Sequence, residues 1–258
     1  MPTPSADSFA ALARSSPWRW STLRFTVRRG RDERRSEPLR AWLRRSDLLR
    51  IETLDTERRQ IVREPPTKVG VLTLDGGDAR PLPWPGTTEQ PPFRPDGLVA
   101  ERPWGLSYDA PMFEDYRWVA MLDPVELADG RDPDGGGPAW PSLALEAVTE
   151  VEHAGRPAWE AVVRTTPLYA PRCGCCPLLR SREVDLLEYG NYPENVLAVY
   201  PEAYRVRLDV GTGVCVSTED VGGPTPGQGH DLRIEAVDEP MADDLFVEPR
   251  RGLFRRRQ

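Results

Sequence analysis

Apolar and charged residues alternate with a period of two in both halves of this chain, and no helix-length pattern separates the alternating runs. Leu23, Phe25 and Val27 interleave with Arg24, Thr26 and Arg28; Leu39, Ala41 and Leu43 with Arg40, Trp42 and Arg44; Leu49, Ile51 and Thr53 with Arg50 and Glu52. Shorter runs follow at Gln60 to Arg63 and Val69 to Leu74. Successive side chains of a strand point to opposite faces, so this period describes half-buried antiparallel strands with one apolar and one cationic face. Parallel strands need a crossover of a dozen or more residues, usually helical, and the pattern leaves no room for one. Parallel βαβ folds and their phosphate-binding loops are therefore disfavoured.

The second half repeats the signal. Leu143 to Val151 reads as a strand, His153-Ala154-Gly155-Arg156 as a turn, and Pro157 to Arg164 as the return, with Trp159, Ala161 and Val163 on one face. A short strand is expected at Val184 to Leu187. Tyr204, Val206, Leu208 and Val210 alternate with Arg205, Arg207 and Asp209, the Gly211-Thr212-Gly213 turn leads into Val214, Val216 and Thr218, and Leu232, Ile234 and Ala236 form the last strand. Two helices are expected. The first spans Ser5 to Arg14, with Ser5 as N-cap and Ser15-Ser16-Pro17 as its stop; the second spans Phe113 to Asp123, with a further turn after Pro124 through Leu127. These elements sum to a single mainly β (α+β) domain over residues 1–249, interrupted by a Pro-rich loop (81–103) and a Gly/Pro connector (129–142). Asp243 to Pro249 ends the folded part, and residues 250–258 form a basic tail.

The hairpins Glu152-His153-Ala154-Gly155-Arg156-Pro157-Ala158-Trp159 and Arg207-Leu208-Asp209-Val210-Gly211-Thr212-Gly213-Val214, followed by Leu245-Phe246-Val247-Glu248-Pro249, resemble the second half of bacterial lipoprotein-carrier-like proteins, the LolA-like and RseB-like group. The resemblance is strongest over residues 143–249. It implies a curved antiparallel sheet, or unclosed β-barrel, with two or three short helices covering a concave face that can hold an apolar ligand. Helices Ser5 to Arg14 and Phe113 to Asp123 would be the covers.

Charge excludes one class. The net charge is -7 and the pI near 5.1, which opposes general nucleic-acid binding because phosphate neutralisation needs a basic face. Lys68 is the only lysine, so 33 of the 34 basic residues are arginine, and arginines alternating on outer strand faces are read as solvation. Met1 to Ala13 carries Asp7 but no basic leader or apolar run, and no stretch is apolar enough to span a membrane. A cytoplasmic setting is expected, in which cysteines are reduced or metal-bound.

Chemistry concentrates at Cys173-Gly174-Cys175-Cys176-Pro177, which holds three of the four cysteines. Cys173 and Cys176 have C-x2-C spacing, and soft sulfur donors favour zinc or copper(I). Cys215 or His230 would complete the metal set if the fold brought it near. The same pair could form a reversible disulfide beside Arg172 and Arg180, or the cysteines could be structural. His153 and His230 read as solvated loop residues, and no G-x-S-x-G, Walker or H-E-x-x-H motif is present, so an enzyme is not expected. Trp84, Phe93, Trp104, Tyr108 and Phe113 flank the proline-rich loop and are the candidate rim of a ligand pocket. The expected function is a non-enzymatic binding protein for an apolar small molecule, a lipid or a protein partner; the alternative is a thiol or metal-site protein centred on the cysteines.

Overall fold

A computed structural model describes residues 3–30, 37–54, 58–64, 68–69, 80–81, 84, 90–103, 111–131 and 141–248. The chain opens with helix α1 (Ala6–Arg19) and runs through strands β1 (Thr22–Gly30), β2 (Leu39–Arg44), β3 (Leu48–Thr53), β4 (Arg59–Arg63), β5 (Lys68–Val69) and β6 (Arg80–Pro81). Helix α2 (Tyr116–Leu122) and a 3-10 turn (Val125–Leu127) precede β7 (Leu143–His153) and β8 (Arg156–Thr165). Helix α3 (Arg182–Tyr189) then leads to β9 (Ala203–Asp209), β10 (Cys215–Val221), β11 (Gly229–Val237) and a final 3-10 turn (Asp243–Phe246).

Nine strands form one antiparallel sheet in the order β4-β3-β2-β1-β11-β10-β9-β8-β7, open at both ends among the described residues, while β5 and β6 pair separately. Every neighbour is a sequence neighbour except one. β1 pairs with β11, from Leu23 opposite Val237 to Gly30 opposite Gly229, and this joint merges the two meanders. The expected unclosed antiparallel sheet with a few short helices is thus observed.

The alternation sorts the faces as anticipated. Phe25, Leu43, Leu49, Ala161, Val206 and Leu232 are buried together, and α1 and α2 cover them with Phe9, Leu12 and Trp118. Trp118 packs on Phe25 with ring centroids 5.4 Å apart. Burying each such large side chain contributes about 1.5–3 kcal/mol. On the other face the arginines are cross-strand partners, as in Arg24 with Glu235 and Arg207 with Glu160. Several of them do more than meet solvent. Arg44, Arg50 and Arg63 donate to the carbonyls of Met241, Leu245 and Phe246, strapping the C-terminal segment across the first meander.

Three elements differ from expectation. Ser5 does cap α1, its side chain accepting from the backbone N–H of Ser8, but the helix continues through Pro17 to Arg19. A proline inside a helix removes one N–H and frees the carbonyl four residues earlier; here Arg102 donates to Ala13 O at 3.5 Å and to Arg14 O at 2.9 Å, and supplies what Pro17 cannot. The strand expected at Val184 to Leu187 is helix α3. Ser181 accepts from Val184 N at 3.2 Å, and Glu183 and Asp185 occupy the first turn, where helix N-termini favour negative charge. The second helix starts at Tyr116 rather than Phe113, because Asp115 is its N-cap. Val69 lies in β5, whereas the rest of the run to Leu74, most of the Gly/Pro connector and the basic tail lie outside the described residues.

Gly213 shows how tightly the β9–β10 turn meets α1. Its φ is +74°, and a β-carbon there would lie 2.7 Å from Leu12 O and 3.1 Å from Ser16 N. Asp209 organises the turn, accepting from Thr212 N at 2.7 Å and from Arg156 at 2.7 and 3.1 Å.

Candidate functional site

The cysteine-bearing loop leaves β8 and returns to the sheet through α3, and a buried carboxylate closes its neck. Glu126, in the 3-10 turn after α2, is 2% exposed. Its Oε2 accepts from Arg172 N at 3.1 Å and its Oε1 from Leu178 N at 2.9 Å, so one side chain ties together both ends of the segment holding Cys173, Cys175 and Cys176. Tyr169 donates its hydroxyl to the same carboxylate and accepts from Leu179 N at 3.1 Å. Burial, reinforced by the charge of Glu126, pushes the Tyr169 pKa well up, which keeps the phenol a proton donor.

Pinched in this way, the three sulfurs converge to within 4.8 Å of one another. Cys173 Sγ lies 2.9 Å from Cys175 Sγ, which lies 3.7 Å from Cys176 Sγ. Tetrahedral zinc with sulfur at about 2.3 Å sets neighbouring sulfurs roughly 3.8 Å apart, so the second spacing already suits a metal and the first needs a small opening. The thiols are unequal. Partial burial opposes ionisation of Cys173, yet hydrogen bonds from Cys175 and Cys176 outweigh it and hold its pKa below the usual thiol value. Cys175 is pushed up, first by its hydrogen bond to Cys173, and Cys176 is pushed up to about 12, mainly by burial. The cluster therefore holds one favoured thiolate solvated by two thiols.

Glu188 of α3 hangs over the loop: a β-carbon on Gly174 would collide with its carboxylate, and its charge opposes ionisation of Cys175. It is an oxygen donor that sequence spacing did not single out, and the signal was available only once Val184 to Leu187 was recognised as helical. Cys215 stands apart from the converging sulfurs. It is 0% exposed in β10, its thiol donates to Ser217 O at 3.6 Å, and burial raises its pKa strongly.

The two histidines are structural rather than solvated. His230 sits in β11 at 6% exposure; its Nε2 donates to Cys215 O at 2.8 Å, so Nδ1 is the acceptor of the Thr218 hydroxyl at 2.9 Å. With both nitrogens engaged it offers no free ligand atom. His153, at the end of β7, lies 3.0 Å from Leu232 O and 3.2 Å from Asp231.

Three of the five aromatic residues expected to rim a pocket are among the described residues. Trp84 is buried with the Arg45 guanidinium 4.9 Å from its ring centre, Phe113 packs edge-on against Trp118 at 5.5 Å, and Phe93 is 48% exposed in a loop bridged to Val99. Trp104 and Tyr108 lie outside the described residues.

No protein-family model matches the chain. No curated protein matches it either. Among solved structures it is similar to MucB in a crystal structure, at 14% identity over 95% of this chain and 63% of that one, with a TM-score of 0.43. It is also similar to the Pseudomonas aeruginosa MucA/MucB complex, at 17% identity over 94% of this chain and 61% of that one, with a TM-score of 0.40. This chain spans about three fifths of the length of those structures. The likeness is weak and says nothing of activity.

Proposed function

We propose that this is a non-catalytic binding protein whose ligand centre is the trithiol of Cys173, Cys175 and Cys176, and that it holds a thiophilic ion, zinc or copper(I). The observation that carries the reading is the convergence of three sulfurs at a neck closed by Glu126. Three thiolates suit trigonal copper(I) directly, whereas tetrahedral zinc needs a fourth donor, for which Glu188, outside the converging group, would have to swing in. Each thiol releases its proton to solvent on binding, so affinity rises with pH. A reducing, cytoplasmic setting belongs to this reading, since it keeps the three thiols available.

Elemental analysis of protein purified without chelator tests it. About one equivalent of zinc or copper per chain is expected, absent from a Cys175→Ser, Cys176→Ser variant. Reduced protein that takes up neither ion would overturn the proposal.

A second reading, docking of a protein partner through an apolar surface, is favoured by Leu186, Leu187, Tyr192 and Val199, which are 47%, 66%, 60% and 56% exposed in and after α3. Exposed apolar residues gathered in one segment mark interaction surfaces more often than chance scatter does. Leu187→Glu should abolish any such association without unfolding the chain, as read by pull-down and circular dichroism.

A further inference from the structure

A cleft of about 150 Å³ opens where β9, β10 and β11 meet the first turn of α2 and the segment that follows the cysteines. Its walls carry three arginines, Arg29, Arg117 and Arg180, against one carboxylate, Asp220. Arg29 is paired with Glu114 and Asp115, and Arg180 with Asp185. Arg117 is different. Its Nε donates to Pro177 O at 3.1 Å, which fixes the plane of the guanidinium, while its Nη atoms have no partner among the described residues.

The guanidinium charge is directed into the cleft rather than dispersed in water. Burial dominates the titration of His230 on β11 and Tyr204 on β9, which line the same cleft. Arg117 adds to burial in opposing protonation of His230; at Tyr204 it acts against burial and the charge of Asp220, which together raise the pKa. Neither group can neutralise the Arg117 charge. His230 is neutral, with both nitrogens engaged, and the Tyr204 hydroxyl donates to Arg180 O. Asp220 already accepts from Thr225 at 2.8 Å. A guanidinium held in plane in a partly enclosed site, with one donor edge unused, is the arrangement that recognises an oxyanion.

We propose that this cleft binds the oxyanion head of a small molecule, a carboxylate or phosphate group seated on the free edge of Arg117. Its size excludes larger ligands, because pockets for drug-sized molecules run to roughly 300–1,000 Å³. No cysteine lines the cleft, so the site stands or falls independently of the metal centre.

Titration of 15N-labelled protein with sodium phosphate and with sodium succinate, at ionic strength held constant with sodium chloride, tests the assignment. Saturable amide shifts at Thr225 and Gly229 are expected with at least one of the two anions, and which one responds identifies the head group. Arg117→Gln should weaken the response at least tenfold, with Arg117→Lys intermediate. Pro224→Trp, which fills the cleft mouth without altering Arg117, should abolish it and serves if Arg117→Gln does not fold. Shifts that fail to saturate with both anions, that chloride reproduces, or that persist unchanged in Arg117→Gln or in Pro224→Trp would overturn the proposal.

Discussion

Arg102 and Asp123 form a two-pronged ion pair around a carboxylate that is 0% exposed: Arg102 Nη1 lies 2.9 Å from Oδ2, and Nη2 bonds to Oδ1. Arg172 adds a bond to Oδ2 at 2.9 Å. Because Arg102 also reaches the carbonyls of Ala13 and Arg14, one acid joins the proline-rich loop, α1, the end of α2 and the entry to the cysteine loop.

Asp123→Ala is therefore expected to cost about 3–5 kcal/mol, since it leaves buried guanidinium charge uncompensated. Urea denaturation at pH 7 measures this. Burial alone would raise the Asp123 pKa, but Arg102, Arg172 and Arg45 outweigh it and hold it below the ordinary carboxylate value. The contribution is present above the unfolded pKa, about 3.9, and is lost as pH falls through the lower folded value. In the Asp123→Ala background that acid-dependent component should be missing.

His230 gives a second pH dependence in a higher window. Burial, with Arg117 and Arg29 nearby, lowers its pKa to about 4. The unfolded chain takes up a proton near pH 6.5 that the folded one refuses until about pH 4, so stability is full above that window and declines across it by about 3 kcal/mol. Stability curves at several pH values, with His230→Gln as the comparison, check this; the variant should lose the slope between pH 6.5 and 4.

Gly213 and Gly97 separate strain from collision. Both have positive φ, +74° and +79°, but only at Gly213 would a β-carbon meet backbone, at 2.7 Å from Leu12 O. Gly97→Ala should cost on the order of 1 kcal/mol from backbone strain, and Gly213→Ala distinctly more, because α1 must shift as well. Paired melting curves of the two variants rank them.

The neck of the cysteine loop controls its sulfurs. Tyr169→Phe removes the donor to Glu126 and the acceptor of Leu179 N, and should weaken metal binding about 10–100-fold while all three cysteines remain. Competition with a chromogenic chelator reads this directly. In metal-free native protein, alkylation should mark Cys173 first and leave Cys215 untouched until unfolding, as peptide mapping would reveal.

The strands were legible in the sequence where one face is apolar and the other charged. The β1 run of Leu23, Phe25 and Val27 against arginine has a period that no helix satisfies, and Ser5 carries its capping chemistry locally. Val184 to Leu187 reads as a strand because four residues are too few to separate a period of 2 from one of 3.6; the capping serine and acidic first turn are the better signal. Pro17 looked like a stop because the compensating donor, Arg102, lies far along the chain. His230 looked solvated because its Gly-rich flank resembles a loop, whereas pairing with β1 and β10 buries it.

The amino-acid sequence alone determined the antiparallel meanders, the outward arginines and the crowding of three thiols, because each depends on residues close along the chain. Tertiary structure decided what those features became. Pairing of β1 with β11 merged two meanders into one sheet, Glu126 drew the cysteines together from 46 and 52 residues away, and the same assembly left Arg117 with an unused edge in a cleft. These depend on contacts between distant segments, for which local periodicity leaves no trace, and only burial of the shared apolar face selects them.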